Sequence, residues 1–151
     1  MDWLKIKERV YFEDGSLRDI YIKNVSENDW RIWVELINER YDVSFRIYEG
    51  EVTTPKIEFH RLLQFWNGDL DSGAMASFFV GRTLVNAFFF SNDEFDNDIT
   101  PTEFLSIEDH NALMDYLKSI STLLNKRVIL TPEMMPETIL LAVENGVVTI
   151  F

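Results

Sequence analysis

The stretch from Ser106 to Arg127 constrains this chain more than any other. Leu113, Tyr116, Leu117, Ile120, Leu123 and Leu124 recur at intervals of three and four, drawing one apolar stripe along a helix. Ser106, with Asp109 three residues on, supplies the N-terminal cap. Glu108 and Asp109 sit at the positive end of the helix dipole, and Lys126 and Arg127 at its negative end. A helix that is apolar on one side needs a second apolar layer to lie on.

The rest of the chain supplies that layer, because most of it alternates with a period of two. Val43, Phe45 and Ile47 describe a strand that Gly50 and Pro55 bring to a stop. Residues 76–80 and 83–90, joined at Gly81-Arg82, read as a hairpin of central strands apolar on both faces. Residues 128–130 are strand-like. Residues 139–143 and 147–151 flank Asn145-Gly146, the strongest short hairpin signal.

Near the start, Leu4, Ile6, Val10 and Phe12 fall on even positions before the Asp14-Gly15 turn, and Ile20 and Ile22 follow it. This predicts a first hairpin, with Lys5, Lys7 and Arg9 on its solvent face as protection against edge pairing. Ser26 and Asp29 have capping spacing, and Trp30, Trp33, Val34, Ile37 and Tyr41 predict a helix from Glu27 to Arg40. Trp30, Ile32, Val34 and Leu36 also alternate as a strand would. Ile57 to Phe59 reads as strand, Leu62 to Trp66 fits either state, and residues 67–73 have the composition of a loop. The expected fold is α+β: one domain over residues 1–151, its mostly antiparallel sheet packed by one or two helices.

Charge and composition narrow the function classes. The 151 residues carry a formal net charge of −12, which repels phosphate backbones and anionic headgroups, so neither nucleic acid nor a membrane surface is an expected partner. The longest strongly apolar stretch, residues 84–90, is interrupted by Asn86 and far short of a membrane span of ~20 residues. The N-terminus alternates apolar and charged residues without a signal-peptide core. With no cysteine, thiolate metal sites and thiol nucleophiles are excluded, and a reducing cytoplasm is the expected location.

No catalytic residue and no cofactor is indicated. The sequence contains no phosphate loop, dinucleotide fingerprint, zinc-protease motif or nucleophile elbow. Of the two histidines, His60 reads as partly buried or on an edge strand, and His110 as a solvated residue at a helix terminus. Asn92, Glu94, Asp96, Asp98, Thr100 and Glu103 have the spacing of a calcium loop. Asn97 at the glycine position, Pro101 within the loop and the strand-like Phe88-Phe89-Phe90 before it favour a short acidic strand or turn, with no metal. The loop from Asp69 to Gly73 reads as a turn.

The functional candidate is electrostatic. Between Arg82 and Lys118 there is no lysine or arginine, while Asp93, Glu94, Asp96, Asp98, Glu103, Glu108, Asp109 and Asp115 all fall there. Such a segment is either a solvated face or a docking surface for a basic protein partner. Residues 13–22, Asp29-Trp30 and the closing run 128–133 together resemble small bacterial cytosolic domains of the toxin-immunity type. That resemblance implies an acidic inhibitor that covers a basic toxin site. The alternative is a small enzyme or ligand-binding protein with a pocket near His60 and the loop from Asp69 to Gly73.

Overall fold

Residues 1–70 and 72–151 are described by the structure, a computed structural model. The alternating stretches form nine strands of one antiparallel sheet: β1 (Arg18–Lys23), β2 (Val43–Ile47), β3 (Val52–Thr54), β4 (Ala74–Val80), β5 (Thr83–Phe88), β6 (Glu94–Ile99), β7 (Val128–Pro132), β8 (Leu141–Glu144) and β9 (Val147–Ile150). Their spatial order is β3-β2-β4-β5-β6-β1-β7-β8-β9, so β1 joins the group from β2 to β6 to the consecutive strands β7-β8-β9. Four α-helices, α1 (Trp3–Val10), α2 (Glu27–Arg40), α3 (Phe59–Trp66) and α4 (Ile107–Leu124), complete the α+β fold.

Strand alternation decides which side of the sheet the helices cover. Ile20, Ile22, Phe45, Phe78, Val85, Phe95, Ile99, Leu130, Leu141 and Val143 form one buried cluster with Ile6 and Val10 of α1, Trp30, Trp33 and Ile37 of α2, Leu62 of α3, and Leu113, Leu117 and Ile120 of α4. Among the described residues, no helix covers the opposite side of the sheet. Both long helices are capped as their sequences require: Ser26–Asp29 and Ser106–Asp109 each form a reciprocal capping box. Two buried hydrogen bonds tie the layers together, from Trp33 Nε1 to the Tyr116 hydroxyl at 3.2 Å and from that hydroxyl to Asn97 Oδ1 at 2.5 Å.

Four expectations change. Trp3–Val10 is a helix and not the first arm of a hairpin, because the Asp2 carboxylate accepts from Lys5 N–H at 3.0 Å and Trp3, Ile6 and Val10 share one helical side. Lys5 and Arg9 are exposed on that helix, Lys7 is half-buried, and Leu4 points to solvent. The strand expected through Phe59 gives way to α3, whose Leu62 is buried in the core and whose Trp66 indole donates to Phe89 O at 3.0 Å. Leu123 is 49% exposed, since the buried side of α4 runs through Leu113, Tyr116, Leu117, Ile120 and Leu124. The β4–β5 hairpin is fully buried on one face only: Ser77 and Asn86 lie on the other, and Phe79 beside them is 61% exposed.

In place of the first hairpin, the α1–β1 connection closes around a buried cation. The Arg18 guanidinium donates to Val10 O at 2.8 Å, to Leu17 O at 3.0 Å and to Phe12 O, and lies over the Phe12 ring at 4.0 Å. Burial of a charge is tolerated where its donors are satisfied in this way.

Leu117, fully buried at the centre of the α4 interface, tests the packing. Leu117→Ala is expected to destabilise the protein by roughly 2–5 kcal/mol in urea denaturation; a loss below about 0.5 kcal/mol would mean that α4 does not bury this residue.

Candidate functional site

The period of two that buries Ile20 and Ile22 turns Asp19 and Tyr21 to the helix-free face, and in β6 the burial of Phe95, Asn97 and Ile99 turns out Glu94, Asp96 and Asp98. Pairing then assembles two rows across the sheet. Ser44, Ser77, Asn86, Asp98, Asp19 and Thr131 face one another in succession through β2, β4, β5, β6, β1 and β7. The adjacent row brings together Met75, Phe88, Asp96, Tyr21 and Ile129.

These rows place carboxylates beside carboxylates. Asp19 and Asp98 are direct cross-strand partners, a juxtaposition of like charges that destabilises a sheet. Each is partly compensated by neutral donors: Asn86 Nδ2 donates to Asp98 at 3.0 Å, and Asp19 Oδ2 accepts from the Tyr21 hydroxyl at 2.9 Å and Met134 N–H at 2.8 Å. Asp96 lies one position along, with Asp19, Asp98 and Glu94 around it. Its partial burial and those negative neighbours push its carboxyl up to about 7, and burial together with Asp19 and Glu133 raises Asp98 as well. The salt bridges among the described residues involve none of Asp19, Glu94, Asp96, Asp98 or Glu133.

Apolar groups border the carboxylates. Phe88 and Phe90 stack with centroids 5.4 Å apart, and Phe90 is 72% and Met134 81% exposed. With Leu17, Tyr21 and Glu133 they enclose, over Asp19, Asp96 and Asp98, a concavity of about 460 Å³. A second, of about 420 Å³, lies alongside, lined in part by Tyr21, Lys23, Lys126, Arg127 and Glu137.

The acidic segment read from the sequence is divided by this architecture. Glu94, Asp96 and Asp98 lie on the open face, with Asp93 exposed in the loop before β6. Glu108 and Asp115 are exposed on α4, in the helical layer. Asp109 is buried: it closes the capping box, and against the cost of burial its carboxyl is held below the usual range by the Leu105 N–H at 3.0 Å and by two bonds from Arg82 at 3.1 and 3.0 Å. Glu103 accepts from Leu84 N–H at 2.8 Å. Sequence reasoning missed Asp19, Tyr21, Phe88, Phe90, Glu133 and Met134. The alternation around Ile20 was the available signal for Asp19 and Tyr21; the rest join the site only through strand order.

The other candidates lie elsewhere. His60 is an exposed residue of α3, 3.6 Å from the Glu58 carboxylate, rather than partly buried or on a strand, and lines neither concavity. His110 is buried instead of solvated, hydrogen-bonded through Nδ1 to the Tyr11 hydroxyl at 2.7 Å, and burial holds it down at about 4. In the loop from Asp69 to Gly73, Asp71 falls outside the described residues; Asp69 is exposed. The residues with calcium-loop spacing run through a strand, where alternate side chains stand roughly 6.5 Å apart along a line instead of encircling an ion. Among the described residues no group of three or more carboxylates or histidines is arranged to hold a metal ion, and no helix is long and apolar enough to cross a membrane.

No family model matches the sequence, and no curated protein matches it. Among solved structures, the fold is similar to that of a chain in the crystal structure of the toxic C-terminal tip of CdiA from Pseudomonas aeruginosa in complex with immune protein. The TM-score is 0.50 at 11% identity, covering 84% of this chain and 94% of that one. At this identity the likeness is one of fold.

The open face has a measurable cost. A carboxyl whose folded value lies above its unfolded one, as at Asp96, binds extra protons in the folded state between about pH 4 and 7, so its stabilising contribution grows as pH falls through that window and its ionised form weakens the fold above it. Asp96→Asn is therefore expected to stabilise the protein at about pH 8 by roughly 1–3 kcal/mol, after allowance for solvent screening, and by much less at about pH 4.5. Urea midpoints at both pH values check this; an equal effect at the two would contradict it.

Proposed function

We propose that this chain is a non-catalytic protein-binding module, an immunity-like inhibitor whose helix-free sheet face receives a basic partner. The observation that carries the reading is a group of carboxylates on the open face, Asp19, Glu94, Asp96, Asp98 and Glu133, that have no salt-bridge partner among the described residues, with Glu94 and Glu133 exposed, Asp96 half-buried, and the Phe88–Phe90 stack and Met134 at their border. A face that holds like charges together against its own stability supplies what a cationic surface lacks, and its aromatic and methionine side chains supply the apolar contact area common at interface cores. The likeness in fold to a chain from a complex of a toxin tip with immune protein supports the same reading. In that role the protein covers a basic site and prevents its use, and needs neither cofactor nor catalytic group. An enzymatic or small-ligand site around His60 finds less support, because that histidine is exposed and stands beside Glu58.

Two double charge reversals separate the local face from net charge. Glu94→Lys with Asp96→Lys alters the sheet face; Glu108→Lys with Asp115→Lys makes the same change of charge on exposed positions of α4. Wild-type protein serves as bait in the source cell, and the captured partner is then measured by surface-based kinetics at low and high salt. The first variant is expected to slow association at least tenfold at low salt, the second less than threefold, with circular dichroism showing both folded. Equal effects of the two variants would reduce the face to a source of net charge and remove the reading.

A further inference from the structure

The carboxylates of the open face are arranged in a way that a purely solvating surface does not require. Asp19 of β1 and Asp98 of β6 are directly opposed, and opposed residues of an antiparallel pair hold their Cβ atoms only about 4.5–5.5 Å apart. Asp96 is two positions from Asp98 on the same strand and faces Tyr21 on one side and Phe88 on the other, so rings occupy the places where neutralising cations would stand. Among the described residues, charged and titratable groups are turned towards Asp96 from several elements. From β1 these are Asp19, Tyr21 and Lys23; from β6, Glu94 and Asp98; from the loop after β7, Glu133; β5 contributes only Asn86 and Phe88. The one cation among these described groups, Lys23, is at the end of β1 opposite Glu94.

We propose that the Asp19–Asp96–Asp98 cluster holds a proton in the free protein and releases it when a cationic side chain of the partner enters the concavity, so that docking is linked to pH. The inference rests on the docking reading above and adds a regulatory property to the same face. Three carboxyls in one low-polarity concavity, with hydrogen-bond donors for two of them and no cation, are most stable with one neutral. Asp96, which lacks a donor among the described residues and is raised the furthest, is where that proton resides. An arriving arginine or lysine reverses the preference. The proton leaves for solvent, and the ion pair takes its place.

The linkage has a size. Where only the ionised cluster is competent to bind, the apparent dissociation constant scales with the inverse of the ionised fraction, which for a group titrating near 7 changes about tenfold between pH 6 and pH 8. Protonation of an exposed histidine would weaken the binding of a cationic partner at the lower pH in the same direction. His60 is replaced by glutamine in every protein used, so that the other accessible titratable ring contributes nothing.

Two independent measurements test the proposal. The first needs no ligand: carbon-detected NMR of the side-chain carboxyls in the free protein, from about pH 4 to 9, is expected to show one aspartate of the cluster titrating between about 6 and 8. If all three are ionised by about pH 5, the proposal fails whatever binds. The second uses a deca-arginine peptide as the probe, with calorimetry at about pH 6 and 8 in two buffers of different ionisation enthalpy. Expected are proton release on binding and about tenfold tighter binding at the higher pH, with Asp96→Asn, the uncharged isostere of the protonated carboxyl, binding at both pH values as weakly as the wild type does at about pH 6 and losing the pH dependence. Equal affinities at the two pH values overturn the linkage. A cluster that titrates near neutrality while the peptide binds at neither pH overturns the docking reading and with it the linkage, and the NMR result keeps that failure distinct from the first.

Discussion

Asn97 faces the core from β6 because the Tyr116 hydroxyl of α4 donates to it, and that hydroxyl in turn accepts from the Trp33 indole of α2. An amide buried among Phe95, Ile99 and the helical aromatics is costly without those partners, so the chain of bonds fixes β6 in one register. The register has a consequence on the far side of the strand. With Asn97 held inward, Asp96 and Asp98 are committed outward; a slip of one residue would bury both carboxylates beneath α2 and α4. The geometry of the acidic face is thus set from within the core.

That face works against the fold that carries it. Hydrophobic contacts among Trp30, Trp33, Trp66, Phe78, Phe89 and Phe95, with ring centroids 5.2–6.2 Å apart, stabilise the helical side. On the other side, opposed aspartates and a half-buried carboxyl raised in its proton affinity subtract from stability. Sites that recognise a partner commonly show this conflict, since groups poised for another molecule are left unsatisfied in its absence.

How far this was legible in the sequence depends on whether a feature is local. Capping boxes at Ser26 and Ser106 are local, and both long helices follow from them. So is the Asn145-Gly146 turn, whose residues adopt the positive φ values of 52° and 75° that such a hairpin demands. Trp3–Val10 was misread because Leu4 and Ile6 alternate, yet the Asp2 cap and the helical spacing of Trp3, Ile6 and Val10 were equally present; two periods competed over eight residues, and burial of Trp3, not Leu4, decided between them. The candidate site is the less legible part. Glu94, Asp96 and Asp98 were visible as a charge run, but Asp19, almost eighty positions away, joins them only through the pairing of β1 with β6. Conversely Asp109 and Glu103, equally acidic in sequence, are occupied by Arg82 and by Leu84 N–H.

The position of β1 in the strand order has a bearing on how the molecule comes into being. It is synthesised well before the strands it pairs with, since β6 and β7 follow about 75 and about 110 residues later. Contacts of such long separation form late, after the more local hairpins have closed. Until β1 docks, the run from β2 to β6 ends in an unpaired β6, a bare ladder of backbone groups on which another nascent chain can add a strand. Glu94, Asp96 and Asp98 lie along that temporary edge, and like charges on an identical strand repel. The carboxylates that face outward in the finished protein therefore also guard the half-built sheet against pairing with its own copies.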